Sequence, residues 1–252
     1  MTRITLEICV DDAAGIIAAQ EGGADRIELC AALALGGLTP SAGLIALAAG
    51  CGLPVMAMIR PRAGDFCWSA SELEACSAEI RACHAAGLAG VVIGASLPDG
   101  RLDEPALRRL IHEAQGLDIT LHRAIDLTPD PAVAMRLAAG LGIRRVLSSG
   151  GARAALAGMA RLRAMERATP GVTVMPGGGV SAENAAEFAA VLSLREIHAS
   201  GSAPLPAPAL PAVTEFGFQP AGARGTERTK VAALRARLDQ ISASRPSGCT
   251  SS

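Results

Sequence analysis

The chain has 252 residues, 50% hydrophobic and 19% charged, with a formal net charge of −1. That balance belongs to a globular chain with room for a sizeable core, in one large domain or two small ones, and not to a disordered one. Charge near zero, 2% aromatics and no tyrosine exclude a polybasic or base-stacking nucleic-acid binder, and the only lysine, Lys230, sits too late for Schiff-base or Walker-type phosphate chemistry.

The first element, Ile4 to Val10, alternates as a strand does, with no apolar leader before it. A unit then recurs. An Ala-rich helical segment ends at glycine, the residue expected just past a helix end, and a short β-like run follows. Gly22-Gly23 precedes Ala24 to Cys30, Gly52 precedes Pro54 to Arg60, and Gly87 precedes Gly90 to Gly94. Gly116 precedes Asp118 to His122, Gly142 precedes Arg144 to Ser148, and Gly171 precedes Val172 to Met175. Arg195 to Ser200 closes the series without the glycine. The uncharged stretch from Leu29 to Ile59 is broken by Gly36-Gly37, Thr39-Pro40-Ser41 and Gly50 to Pro54. A membrane span needs roughly 20 continuous apolar residues, so none is expected.

Helix starts are also legible. Asp103 and Asp130 stand as caps with Pro105 and Pro131 close behind, and Ser69 with Glu72 has capping-box spacing. Eight such units predict an α/β fold, a single-domain (β/α)8 TIM barrel over residues 1–243, with a doubly wound open sheet as the rival. Residues 202–226, rich in Pro, Ala and Gly, predict a long loop over the barrel mouth. Residues 227–242 predict the closing helix, capped by Thr226. Residues 244–252 predict a disordered tail, and Cys249 within it is given no role. The seven cysteines are odd in number and lack C-x-x-C spacing, which favours reduced thiols in the cytoplasm.

Barrel sites lie at the C-terminal ends of the strands. Strands one and two end in one phrase, Leu6-Glu7-Ile8-Cys9 and Ile27-Glu28-Leu29-Cys30. Alternation sends the apolar residues out to the helices and Glu7, Cys9, Glu28 and Cys30 inward. Buried carboxylates need cations, and Arg60, His122 and His198 are the candidates, with Asp126, Ser148 and Ser149 nearby. The same residues fit a polar plug that only fixes register. After strand seven, Gly177-Gly178-Gly179 lies where barrels often cradle anions; Gly178, Gly179, Ser149 and Ser200 form the candidate anion site. Cys9 and Cys30 are either buried thiols or soft ligands converging on one ion.

These phrases resemble the CutC family of copper homeostasis proteins. They are joined by Gly36 to Ser41, Ile59-Arg60-Pro61-Arg62-Ala63-Gly64-Asp65-Phe66-Cys67, His122-Arg123-Ala124-Ile125-Asp126, Val146 to Gly150, and Glu196 to Ser200. The resemblance implies a barrel, a cytoplasmic homo-oligomer and a link to copper, with Cys9 and Cys30 as Cu(I) ligands and no organic cofactor. Two functions follow. One is Cu(I) binding at the mouth, with Glu7 and Glu28 orienting the thiols. The other is an enzyme acting on a small anionic metabolite that bears phosphate or carboxylate. Glu7 or Glu28 is then the base, His122 the acid and Arg60 the anion clamp, with Asp126 and His198 beside them.

Overall fold

The computed structural model describes residues 3–245, so Cys249 and the tail beyond Arg245 lie outside the described residues. Strands and helices alternate: β1 (Thr5–Val10), α1 (Ala13–Glu21), β2 (Arg26–Leu29), α2 (Ala42–Ala49), β3 (Val55–Met58), α3 (Ala70–Ala85), β4 (Gly90–Ile93) and α4 (Glu104–Glu113). The second half repeats the unit: β5 (Asp118–Leu121), α5 (Pro131–Gly140), β6 (Arg145–Ser148), α6 (Met159–Ala168), β7 (Thr173–Pro176), α7 (Ala185–Val191) and β8 (Glu196–Ala199). The eight strands form one parallel sheet in the order 7-6-5-4-3-2-1-8. A parallel bridge between Gly177 and His198 joins its two ends, so the sheet closes into the expected barrel rather than an open sheet.

The local signals act as read. Asp103 accepts from the Ala106 amide, Asp130 from Ala132 and Val133, and Ser69 and Glu72 exchange the two bonds of a capping box. Each such cap is worth about 1 kcal/mol. Alternation also holds. Leu6, Ile8, Val10, Ile27, Leu29 and Ile197 join the core between strands and helices. Inside the barrel, Cys30, Met56, Met58 and Val92 form a second, smaller apolar cluster.

An ionic layer fills the opposite end of the barrel, where the strands begin. Arg145 opens β6; its Nε lies 2.7 Å from Glu196 at the start of β8, and its Nη1 lies 2.9 Å from Asp118 at the start of β5. Arg26, at the start of β2, also pairs with Glu196. This layer is the floor of the barrel, built from residues other than those expected at the mouth.

Residues 202–226 differ from a plain loop. They form an antiparallel ribbon of β9 (Ser202–Pro204) and β10 (Arg224–Thr226), with the short α8 (Ala212–Glu215) between them. Thr226 is not a helix cap. It ends β10, and its hydroxyl lies 3.5 Å from the Cys9 carbonyl oxygen. Glu227 takes the cap position without a side-chain bond, and the closing helix α9 spans Arg228–Ser244, so Ser244 is helical and not tail.

Candidate functional site

Strand register builds the centre of the site. Glu7 on β1 is the Cα partner of both Arg26 on β2 and His198 on β8, and Cys9 is the partner of Glu28. Same-face side chains on adjacent strands stand about 5 Å apart, so these groups must meet. Glu7, fully buried, takes the Arg26 Nε on one oxygen at 2.5 Å and lies 2.8 Å from His198 Nδ1 on the other. Burial pushes the Glu7 carboxyl up, but His198 and Arg26 outweigh it and hold it at about 2. Burial likewise lowers His198, yet Glu28, Cys9 and Glu7 together raise it well above the usual histidine range. Glu28 is raised, first by burial and further by the Glu7 charge.

With Nδ1 tied to Glu7, His198 turns Nε2 toward Glu28, 3.8 Å from Oε2. Cys9, Glu28 and His198 each present one ligand atom within 4.8 Å of the other two. A carboxylate on the far nitrogen of a histidine is the usual support of a metal-binding imidazole, because it fixes both tautomer and ring orientation. Cys30 lies two residues beyond Glu28, just past β2 and outside the cavity lining. Its thiol is 3.6 Å from Glu28 Oε2, and burial followed by the Glu28 charge pushes it well above the ordinary thiol range. It packs among Met56, Met58 and Val92 as a buried, apolar-like thiol.

Above the trio is a cavity of about 200 Å³, lined by Cys9, Glu28 and His198 on one side and by Arg60, Phe66 and His122 on another. Gly178, Gly179 and Ser200 complete its rim. Arg60 is pinned by backbone: Nη1 donates to Leu35 O and Gly37 O, and Nη2 to Gly64 O. His122 Nδ1 accepts the Ala124 amide at 3.1 Å, so the neutral ring carries its proton on Nε2. Burial and the nearby Arg60 push the imidazole down to about 3. The ring packs over Gly94, where a Cβ would fall 2.2 Å from His122 Cε1.

Of the expected residues, the structure gathers Cys9, Glu28, Arg60, His122, His198, Gly178, Gly179 and Ser200 around this one cavity, with Glu7 behind His198. Asp126 and Ser149 are not among them. Asp126 accepts from the Ser148 hydroxyl, the Ser149 and Gly151 amides and Arg123, which outweigh its burial and lower its carboxyl. Ser149 is spent on Asp126, Arg123 and Ala152 O. Both brace the end of β6 beside the mouth. Burial keeps His122 a neutral imidazole whose remaining donor is Nε2–H. The Gly178 and Gly179 amides have no acceptor among the described residues.

Sequence reasoning missed Arg26, the cation that balances Glu7. Its signal was present, since Arg26 precedes Glu28 by two and so shares its inward face. Phe66, whose ring centroid lies 4.7 Å from that of His122 and 5.0 Å from Arg60 Cζ, left no such signal because it sits in a loop.

Fold and site together define a closed α/β barrel with a thiol–carboxylate–imidazole cluster under a small cavity at its mouth. The chain belongs to the CutC family, whose model matches residues 4–203. A family protein CutC of Rhizobium meliloti is 50% identical over 240 residues, covering 95% of this chain and 98% of that one. A family protein CutC of Caulobacter vibrioides is 48% identical over 240 residues, covering 93% and 98%. Among solved structures, the putative copper homeostasis protein CutC from Streptococcus agalactiae is similar at a TM-score of 0.74 and 28% identity, covering 78% of this chain and 98% of that one. The Pyrococcus furiosus N-(5'-phosphoribosyl)anthranilate isomerase, at 14% identity and a TM-score of 0.57 over 94% of this chain and 99% of that one, shares the barrel fold. No helix among the described residues is long and apolar enough to cross a membrane.

Proposed function

We propose that this protein handles monovalent copper at the barrel mouth, the ion being cargo held by Cys9 Sγ and His198 Nε2 with Glu28 beside them. The observation that carries this reading is the Glu7–His198 contact at 2.8 Å, which turns Nε2 toward Cys9 and Glu28. Thiolate and imidazole are the soft and borderline donors that copper(I) favours. Binding there exchanges the His198 Nε2 proton and the Cys9 thiol proton for one monovalent ion, leaving a thiolate and a neutral imidazole as donors. The similarity to the putative copper homeostasis protein CutC from Streptococcus agalactiae points the same way. Cys30 takes a supporting place, its thiol against Glu28 Oε2, rather than a ligand's place. The six cysteines among the described residues are free thiols, which suits a reducing cytoplasm, and a homo-oligomer is part of the same reading.

An anaerobic competition titration against a chromogenic Cu(I) chelator tests it. Stoichiometric binding in the native protein that disappears in Cys9→Ser is the expected result. Binding that is absent, or equal in both proteins, overturns it.

The second reading is an enzyme acting on a small anionic metabolite. One observation favours it. Glu28 Oε1, Arg60 Nε and His122 Nε2 are buried polar atoms without partners, and all three residues line the same cavity. A two- or three-coordinate copper ion uses none of the last two.

A further inference from the structure

A second cavity adjoins the mouth. It holds about 360 Å³, roughly a dozen waters, between the loop after β7, the start of the β9–β10 ribbon and α9. Gly179, Val180 and Ser200 line both cavities, so the two share one wall. The far side is cationic, with Arg224 from the ribbon and Lys230, the chain's only lysine, from α9.

Short contacts bring these groups together. The Glu227 amide donates to Gly201 O at 2.9 Å, and a Cβ at Gly201 would fall 2.7 Å from Val231 Cγ2. The first turn of α9, which carries Lys230, is thus seated on the residue between Ser200 and Ser202. Arg224 folds back to the same place. Its Nε donates to Ser202 Oγ at 3.1 Å and its Nη2 to Ser202 O at 2.6 Å, while Nη1 has no acceptor among the described residues. The Ser200 and Ser202 hydroxyls lie 3.0 Å apart and share one proton, which leaves the other free to donate. The amides of Gly179, Val180 and Ser200 also have no acceptor among the described residues.

Charge points the same way. Arg228 and Arg235, on the same helix as Lys230, pair with Glu21, Asp25 and Asp239, whereas Arg224 and Lys230 have no carboxylate within 4.0 Å among the described residues. Glu183 is the one carboxylate on the lining, and the Ser181 hydroxyl, its own amide and Lys230 hold it below the usual range. Two cations against Glu183 leave the lining with a net charge of +1. Two cations, a hydroxyl proton and three amides are more donors than the two oxygens of a carboxylate take up. They suit the three terminal oxygens of a phosphoryl group.

We propose that this second cavity holds the phosphoryl group of a small phosphate monoester, whose carbon chain is directed past Gly179 and Ser200 into the mouth cavity. The proposal rests on the second reading, that the mouth takes an anionic metabolite, and names the class of that metabolite.

Copper-free protein, in a buffer without phosphate and at one ionic strength, is titrated by calorimetry with glycerol 3-phosphate, inorganic phosphate and malonate, each to about 10 mM, well above usual metabolite affinities. Lys230→Met and Arg228→Met are run in parallel. The first removes the ammonium from the cavity. The second removes an equal charge two residues away that is not on the lining. Circular dichroism confirms both folds.

Saturable binding of glycerol 3-phosphate is expected, at least about threefold tighter than inorganic phosphate and at least about tenfold tighter than malonate. Lys230→Met weakens it at least about tenfold and Arg228→Met less than about twofold. Equal losses in the two variants overturn the proposal, because surface charge alone then accounts for binding. Inorganic phosphate bound as tightly as the ester overturns it too, since no carbon chain is then recognised. Malonate bound as tightly as the ester overturns it and leaves the anionic-metabolite reading standing. Binding of none of the three removes both, whatever the copper titration shows.

Discussion

Glu7 and His198 are 191 residues apart in sequence, yet they face each other across β1 and β8 with 2.8 Å between carboxylate and imidazole. Glu7 does three things at once. It neutralises Arg26, fixes the His198 tautomer and turns Nε2 toward Cys9 and Glu28.

Glu7→Gln keeps the shape and removes the charge. Copper affinity is expected to fall about 10- to 100-fold, the usual effect of losing the carboxylate behind a ligating histidine. Competition titration measures it, and urea unfolding of the same variant reports separately what the lost Arg26 pairing costs the fold.

The two strand-end cysteines are expected to separate. Cys9→Ser abolishes tight Cu(I) binding, whereas Cys30→Ser leaves it within about threefold of native, a difference under 1 kcal/mol. Cys9 belongs to the trio at the cavity, and Cys30 belongs to the apolar cluster with Met56, Met58 and Val92. Equal losses in the two variants would restore the paired-thiol site that the sequence suggests.

Acid stability should depend on His122. Its folded pKa of about 3 lies below the ordinary 6.5, so the folded protein refuses a proton that the unfolded chain accepts. That contribution is complete above pH 6.5 and is lost as pH falls from 6.5 toward 3. Between pH 7 and pH 4 the native protein should therefore lose roughly 3 kcal/mol more than His122→Asn. Urea midpoints at the two pH values decide it; parallel declines in both proteins would show that His122 is freely protonated in the folded state.

Gly94→Ala places a methyl group 2.2 Å from the His122 ring. The ring must shift off the wall of the cavity, at a cost of about 1–3 kcal/mol. A lowered Tm together with altered Trp68 emission is expected, since Trp68 hydrogen-bonds the Gly94 carbonyl.

The barrel was legible because its signals are local. Glycine at helix ends, aspartate caps before proline and two-residue alternation each act within one βα unit. The inward faces of β1 and β2 followed from that alternation alone. What escaped depends on register, which no single strand encodes. The Cα partners of Glu7 are Arg26 and His198, and the repeated Glu-x-Cys phrase hid this by suggesting that like pairs with like. In the structure Cys9 stands opposite Glu28, a shift of two residues that pulls the cysteines to different depths. Asp126 and Ser149 were placed at the right rim, but whether a side chain faces a cavity or braces a loop is set by tertiary hydrogen bonds. The ribbon over residues 202–226 also escaped, because its pairing is carried by only three residues on each strand.

The seam at Gly177–His198 gives the protein a built-in order of events during synthesis. Cys9 leaves the ribosome almost at once, and Glu28 follows soon after. His198 arrives only when four-fifths of the chain has been made. Until β8 closes against β1 and Gly177, a nascent chain displays a soft thiol with no imidazole beside it and no wall to keep solvent away. The assembled trio is thus a property of the finished barrel alone. Without β8 the imidazole is missing from the cluster, so the trio exists only where the last strand is paired with β1.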